Sequence, residues 1–367
     1  MVKAGLDATP LTVSTGGVAR YTAELSGALA VCFPEDDYWL LSDQEYAHPS
    51  PWLPNLKKGR GAQNVLERRW WLWGLQAEIS RLHLDVFHGT DFSVPYLPVR
   101  PSVMTLHDLS PWLDPNWHAD ADRVRRRTPV LLRVGLPTMI VTPTQAVRRQ
   151  TIERFHVSPS RIVAVPEAAG ERFRPVQPEI GRRRYLLCVG TLEPRKNLGL
   201  VIEAWREARK FDSDVELWVA GRKRRDFREP PPEPGLRLMG EVREEALPGL
   251  YSGAIACLYP SWYEGFGLPV LEAMQCGAAV LASKDPALEE VSGGAALHLD
   301  PADPKTWADA MKAVLAEPDW LRDLREKAIC RAREFSWTNT AKRTHEVYDE
   351  AIRRFRKSDA ESALSVP

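Results

Sequence analysis

The chain has few cysteines, no excess charge of either sign and no long apolar run, and each shortage removes a class of protein. Its five cysteines, Cys32, Cys188, Cys257, Cys276 and Cys330, are odd in number and scattered, with no C-x-x-C pair. That argues against a disulfide framework and a structural zinc site and points to a reducing compartment. Lysine plus arginine equal aspartate plus glutamate at 49 each, so the whole-molecule positive field of a nucleic-acid binder is missing and no nucleic-acid partner is expected. No run reaches the roughly 18 apolar residues that a membrane helix needs. The stretch Met1 to Pro10 lacks the apolar core of a secretion signal. The expected location is cytoplasmic.

What is present suits two cores. At 367 residues, with 44% hydrophobic and 27% charged side chains, the chain fits two domains of roughly 150–200 residues each. Short apolar runs alternate with amphipathic stretches of helix length, the pattern of parallel sheets covered by helices. The first series predicts strands at Val2–Leu6, Tyr38–Leu41, Val86–His88, Val103–Leu106, Met139–Thr142 and Ile162–Val165, with a helix from near Gly17. Pro166 to Arg184, rich in proline, glycine and arginine, reads as a connection. A second series follows: strands Tyr185–Val189, Val215–Ala220, Leu236–Met239, Ala254–Leu258 and Ala278–Ala282, with helices Leu198–Lys210 and Leu268–Cys276. The expected division is 1–166, a linker 167–184, 185–340, and a C-terminal helix 341–367 crossing back to the first domain. Ligands of doubly wound sheets bind beyond the carboxyl ends of the strands, so the strand-to-helix junctions are where chemistry is sought.

Thr15-Gly16-Gly17 opens the first helix, where glycine allows close approach of backbone and free amides attract anions; a tight turn alone would also explain it. In the second series, Gly190-Thr191-Leu192-Glu193-Pro194-Arg195-Lys196-Asn197 places two cations at a predicted helix start. That placement opposes the helix dipole unless an anion, such as a diphosphate, resolves it. The run Ser261-Trp262-Tyr263-Glu264-Gly265-Phe266-Gly267-Leu268-Pro269-Val270-Leu271-Glu272 aims the amides of Phe266, Gly267 and Leu268 at a crevice. Glu264 in the loop and Glu272, expected in the first helical turn, suit hydroxyl-rich groups; complementing the dipole is the plainer role for Glu272.

These features together resemble glycosyltransferase family 4, a group of retaining enzymes with the GT-B fold. The resemblance rests on two glutamates seven residues apart around Gly-Phe-Gly-Leu-Pro, the basic pair upstream, Gly16-Gly17, His107-Asp108, Gly221-Arg222, Gly240-Glu241-Val242 and Phe335-Ser336-Trp337, and spans nearly the whole chain. It implies an α/β fold of two Rossmann-like domains facing a central cleft, and a hexosyltransferase that uses a nucleotide-sugar donor with no cofactor and no metal. On that resemblance Arg195 and Lys196 hold the donor diphosphate, Glu272 binds the ribose, Glu264 faces the transferred sugar and His107 assists catalysis. Gly16, Gly17, Gly190, Gly221, Glu241, Val242, Gly265, Phe266, Gly267 and Leu268 line the donor. Many members carry an arginine directly after the glycine matching Gly190; here Thr191 stands there, and Arg195 is expected to supply the guanidinium instead. The Pro-Arg-Lys-Asn run is similar to mannosyltransferase-like members and favours GDP-mannose. UDP- or dTDP-sugars, an epimerase of the same fold and a non-catalytic nucleotide-sugar binder are the alternatives.

His88 is a second candidate imidazole at a strand end. Asp120-Ala121-Asp122 matches a diphosphate-metal motif in outline, but it precedes the basic stretch from Arg123 and reads as a helix start. Two basic and aromatic stretches, Arg68-Arg69-Trp70-Trp71-Leu72-Trp73 and Arg123-Val124-Arg125-Arg126-Arg127, suggest peripheral contact with an anionic membrane; tryptophans at helical spacing also serve as core. The acceptor, a glycan, lipid-linked or small molecule, is expected to meet the loops Ser42–Gln63 and Asp108–His118.

Overall fold

Each predicted apolar run of the first series lies in a parallel strand of one sheet, because a strand covered by helices on both faces must be apolar on both. The computed structural model describes all residues except 14–15, 50, 52, 98, 119–120, 178–182, 226, 317–318 and 365–367, and describes 358–364 by backbone alone. The strands are β1 Lys3–Asp7, β2 Asp37–Leu41, β3 Leu56–Lys58, β4 Val86–Gly89, β5 Ser102–Thr105, β6 Met139–Thr142 and β7 Ile162–Ala164. They pair in the order β3-β2-β1-β4-β5-β6-β7. Gly5 of β1 lies opposite Trp39 on one side and Phe87 on the other, so the order of the chain reverses between β1 and β4.

The second sheet repeats the design with β8 Tyr185–Val189, β9 Glu216–Ala220, β10 Leu236–Gly240, β11 Ala256–Tyr259, β12 Val280–Ser283 and β13 Leu297–Leu299, in the order β10-β9-β8-β11-β12-β13. Alternation along β8 sends Tyr185 and Leu187 into one apolar layer and Leu186 and Cys188 into the other, as a side-chain period of two requires. Trp218 of β9 stacks on Tyr185 at 4.0 Å between ring centres. The order reverses between β8 and β11.

The chain divides into two compact units, Met1–Leu113 with Ala119–Glu167 and Trp337–Pro367, and Asp114–His118 with Ala168–Ser336. The expected linker is not a free connection, since Phe173 is buried in the second unit's core, edge-on to Tyr251; residues 178–182 of it lie outside the described residues. The last long helix, Trp337–Leu364, groups with the first unit from Trp337 rather than from 341. Its Tyr348 hydroxyl meets His88 Nδ1 at 2.8 Å and its Thr340 hydroxyl donates to the Pro166 carbonyl at 2.7 Å.

Candidate functional site

In the second unit the candidates gather where β8, β9 and β11 end. Gly190 and Gly221 follow β8 and β9 with φ of +152° and +154°. They lie back to back: a Cβ on Gly221 would fall 1.8 Å from the Gly190 carbonyl oxygen. The loops beyond them are zipped together, Leu192 N–H donating to the Arg222 carbonyl at 2.8 Å and Arg224 N–H to the Leu192 carbonyl at 3.1 Å. Pro194–Lys196 then forms a short turn, and Asn197, at φ +52°, breaks it before the helix Leu198–Ala208 begins. The Asn197 amide fixes that break by donating to the carbonyls of Pro260 and Pro301 at 3.2 and 2.9 Å. Arg195 and Lys196 therefore stand before the helix and not in its first turn. The expected conflict with the dipole does not arise, because a left-handed residue separates them from it.

A buried charge network takes the place of that conflict. Glu264 Oε1 accepts from Lys196 Nζ at 2.5 Å and Oε2 from Arg195 Nη1 at 3.0 Å. Arg195 also donates to the Tyr263 carbonyl at 2.6 Å and, through Nη2, to Glu193 at 2.7 Å. Glu193 holds Arg224 as well, at 3.1 Å. Burial opposes ionisation of Glu264, but Lys196 and then Arg195 outweigh it and hold its carboxyl down at about 2. Asp285 accepts the Glu264 amide at 3.2 Å and caps the helix Pro286–Ser292 through Ala287 and Leu288. Burial, with Glu264 nearby, lifts the Asp285 carboxyl to about 6. Arg195 is buried, whereas the Lys196 side chain keeps 21% of its surface. Arg195 thus has its guanidinium committed within the protein, and the expectation that it supplies a free fork to a phosphate gives way to a role in holding Glu264.

The second glutamate is elsewhere in kind. The helix begins at Leu268, so Glu272 is its fifth residue and not in the first turn, and Pro269 is its second. Glu272 is 1% exposed and accepts the Tyr251 hydroxyl at 2.8 Å. Gly267 precedes the helix at φ +93°, a backbone that favours glycine, and a Cβ there would also meet the tip of the Leu288 side chain at 2.4 Å. Gly265 lies between Glu264 and Phe266, and the Phe266 ring is turned into the core against Phe335; Leu268 is buried there too. Gly240 closes β10 and accepts the Gly221 amide at 2.7 Å, and beyond it Glu241 is exposed and Val242 half-buried.

The remaining candidates belong to the first unit. Gly16, at φ +137°, precedes the helix Gly17–Cys32 with open space around both glycines; Thr15 lies outside the described residues. His107 follows β5, its Nε2 donating to the Thr90 carbonyl at 2.7 Å and its Nδ1 to Glu167 at 3.1 Å. The Thr90 carbonyl can only accept, so Nε2 carries hydrogen, and Glu167 beside Nδ1 favours the protonated, charged ring. Burial works against that charge, but the hydrogen bond and charge of Glu167 raise the His107 pKa. His88 is the reverse case: fully buried between the Thr105 and Tyr348 hydroxyls, it is pushed down to about 3 by burial and by His107. His88 is a structural imidazole tying the sheet to the last helix.

Glu167 and Asp285 are not singled out by the sequence, and Glu193 stands in the basic run there without a role. Asp285-Pro286 after an apolar run had the form of a helix cap; Glu167 had only its place at a strand end. The helix Asp122–Arg133 begins at Asp122, which pairs with Arg125 at 2.5 Å; Asp120 lies outside the described residues. Among the described residues no group of three or more His, Cys, Asp or Glu side chains could hold a metal ion.

The two basic aromatic stretches meet. Trp70 is core, but the Arg127 guanidinium lies 5.5 Å from the centre of the Trp71 ring, and the Tyr96 amide donates to the Trp71 carbonyl at 3.1 Å. Arg123, Arg126 and Arg127 line an open groove of about 710 Å³ with Tyr96, Val130 and Leu136. No helix among the described residues is long and apolar enough to cross a membrane.

A family model for glycosyl transferases group 1 matches residues 183–317. The chain is 28% identical to O-antigen chain mannosyltransferase B of Escherichia coli, over 92% of this chain and 97% of that one. It is 26% identical to the serotype-specific mannosyltransferase WbdA of Escherichia coli over 72% of this chain, where it spans 35% of the larger protein. Among solved structures, the sucrose-phosphate synthase of Thermosynechococcus elongatus superposes with a TM-score of 0.73 at 18% identity, covering 95% of this chain and 99% of that one. The same two-sheet architecture, a matched transferase domain and a relative aligned along almost its whole length converge: residues 183–317 match the group 1 glycosyl transferases, the chain has the GT-B fold of two Rossmann-like units, and it is similar to mannosyltransferases.

Proposed function

We propose that the chain transfers mannose from GDP-mannose, with retention and without a catalytic metal, to a hydroxyl of a glycan, lipid-linked or small-molecule acceptor. The observation that carries this reading is the ionised Glu264 held between Lys196 and Arg195 beside the strand reversal of the second unit. A diphosphate arriving there meets Lys196, the more exposed cation, and takes over a partner that Glu264 now holds. Arg195 stays with Glu264 and keeps that carboxylate aimed at the sugar. The names of the mannosyltransferase relatives support the sugar.

Both oxygens of Glu264 are occupied by cations and Glu272 is buried against Tyr251, which suits neither as a covalent nucleophile of the kind retaining glycosidases use. The bond from the anomeric carbon to the diphosphate oxygen breaks while the acceptor oxygen bonds to that carbon on the same face. The acceptor proton passes to the departing diphosphate. Lys196 stabilises the charge that develops on that group, and the protein contributes positioning and electrostatics.

The test is a thermal-shift panel of GDP-mannose, UDP-glucose and a dTDP-sugar with EDTA present, since a ligand that binds only the folded state raises its midpoint. GDP-mannose is expected to stabilise most, and Lys196→Ala to lose about tenfold or more in donor affinity. A larger shift with a UDP- or dTDP-sugar replaces the donor. Release of nucleotide with no acceptor present turns the reading to an epimerase. Turnover that requires a divalent ion removes metal independence.

The merged basic aromatic surface supports a cytoplasmic enzyme docked on an anionic membrane, with arginines for headgroups and Val130, Val134 and Trp73 exposed beside them. Co-sedimentation with phosphatidylserine-containing vesicles at physiological salt checks this; an unchanged supernatant sinks it.

A further inference from the structure

Thr191 leaves a gap in the site that the structure fills from a neighbouring loop. The cation expected to compensate, Arg195, is spent on Glu193, Glu264 and the Tyr263 carbonyl. We infer that Arg222, on the loop leaving β9, is the guanidinium that grips the donor diphosphate. The inference rests on the reading of this site as a nucleotide-sugar site.

Three observations place it. Leu192 and Lys223 form a parallel bridge, with Leu192 N–H bonded to the Arg222 carbonyl and Arg224 N–H to the Leu192 carbonyl. Side chains alternate along such a pair, so residues one step either side of the bridged positions share a face. Glu193 and Arg224 demonstrate which face, by meeting at 3.1 Å. Thr191 and Arg222, one pleat earlier on the two chains, then project side by side on it. Arg222 therefore delivers its side chain beside the position where an arginine at 191 would start.

The second observation is closeness to the rest of the site. Arg222 directly follows Gly221, whose backbone is pressed on that of Gly190, and the Lys196 side chain passes 3.8 Å from where a Gly190 Cβ would be. The third is availability. Lys223 is paired with Glu229, and Arg224 with Glu193 and the Trp117 carbonyl, but the exposed Arg222 side chain has no partner among the described residues. A solvated guanidinium, presenting a fork that matches two phosphate oxygens, stands next to an ammonium that acts as a point charge.

The experiment is isothermal titration of GDP, and of UDP in parallel, into the full chain and into Arg222→Ala, Arg222→Lys, Lys196→Ala and Arg225→Ala. Arg225 is an exposed neighbour with no place in the site. Arg222→Ala is expected to weaken nucleoside diphosphate binding about tenfold while guanosine binding stays as it was, Arg222→Lys to recover part of the loss, and Arg225→Ala to bind as the parent does. Lys196→Ala weakened with Arg222→Ala unchanged overturns the role of Arg222 and leaves the site standing. Both unchanged overturns the site itself. Equal losses in Arg222→Ala and Arg225→Ala mean a diffuse positive field, which also overturns it.

Discussion

At the scale of single residues, the decisive feature is that charge is satisfied inside the protein before any ligand arrives. Glu264 has a folded pKa of about 2, below its ordinary 4.5, so the stability it contributes is complete above about pH 4.5 and is lost as pH falls towards 2. Glu264→Gln removes one partner of a buried network and is expected to cost about 3 kcal/mol near neutrality. Urea unfolding of the two proteins at several acid pH values should show that difference shrinking as pH drops; a difference constant with pH would refute the assignment. His107 follows the opposite sign. Its raised pKa contributes stability that is present in acid and lost as pH rises through the folded value.

Residues also set what the sequence could reveal. Glu264, Lys196 and Arg195 were all legible as a group, because glycine, proline and charge punctuate strand-to-helix junctions. Their pairing was not. Whether Arg195 faces a ligand or Glu193 depends on Asn197 adopting φ +52°, and no local pattern announces that. Glu272, expected in the first turn, is the fifth residue of the helix and falls just beyond that turn.

At the scale of elements, the apolar strands were read well because Arg184 and Gly190 bound the run Tyr185–Val189 on either side, and the strand spans just that run. The three-residue edge strands Leu56–Lys58 and Leu297–Leu299 escaped, since short strands with polar residues have no period to detect. The loops after β8 and β9 make a sharp prediction. A Cβ on Gly221 meets the Gly190 carbonyl oxygen at 1.8 Å, while a Cβ on Gly190 meets nothing nearer than Lys196 at 3.8 Å. Gly221→Ala must therefore part the two loops, at a cost of about 3 kcal/mol or more, and Gly190→Ala bears only backbone strain of about 1–2 kcal/mol. Melting temperatures in the order parent, Gly190→Ala, Gly221→Ala are expected; the reverse order would refute the close packing.

At the scale of the whole molecule, composition and alternation conveyed two α/β units; a last helix grouping with the first was expected, the excursion of residues 114–118 into the second was not. Residues 114–118 lie within the second unit and Trp337 onward within the first. The Trp117 ring stacks on Tyr263 at 6.4 Å, a contact no sequence pattern signals. Two units with separate cores should respond separately to mutation. Tyr348→Phe strips a partner from buried His88 and is expected to destabilise the first unit by about 1–3 kcal/mol, whereas Glu264→Gln acts on the second. Calorimetry of the two variants should move different parts of the unfolding profile, and identical displacement would mean that the units melt as one.

His88 and Tyr348 stand 260 positions apart, and that separation fixes an order of events on the ribosome. The sheet made earliest cannot bury its histidine until the helix from Trp337 has emerged, after every strand of the second sheet has been translated. The half of the enzyme that is born first is the half completed last.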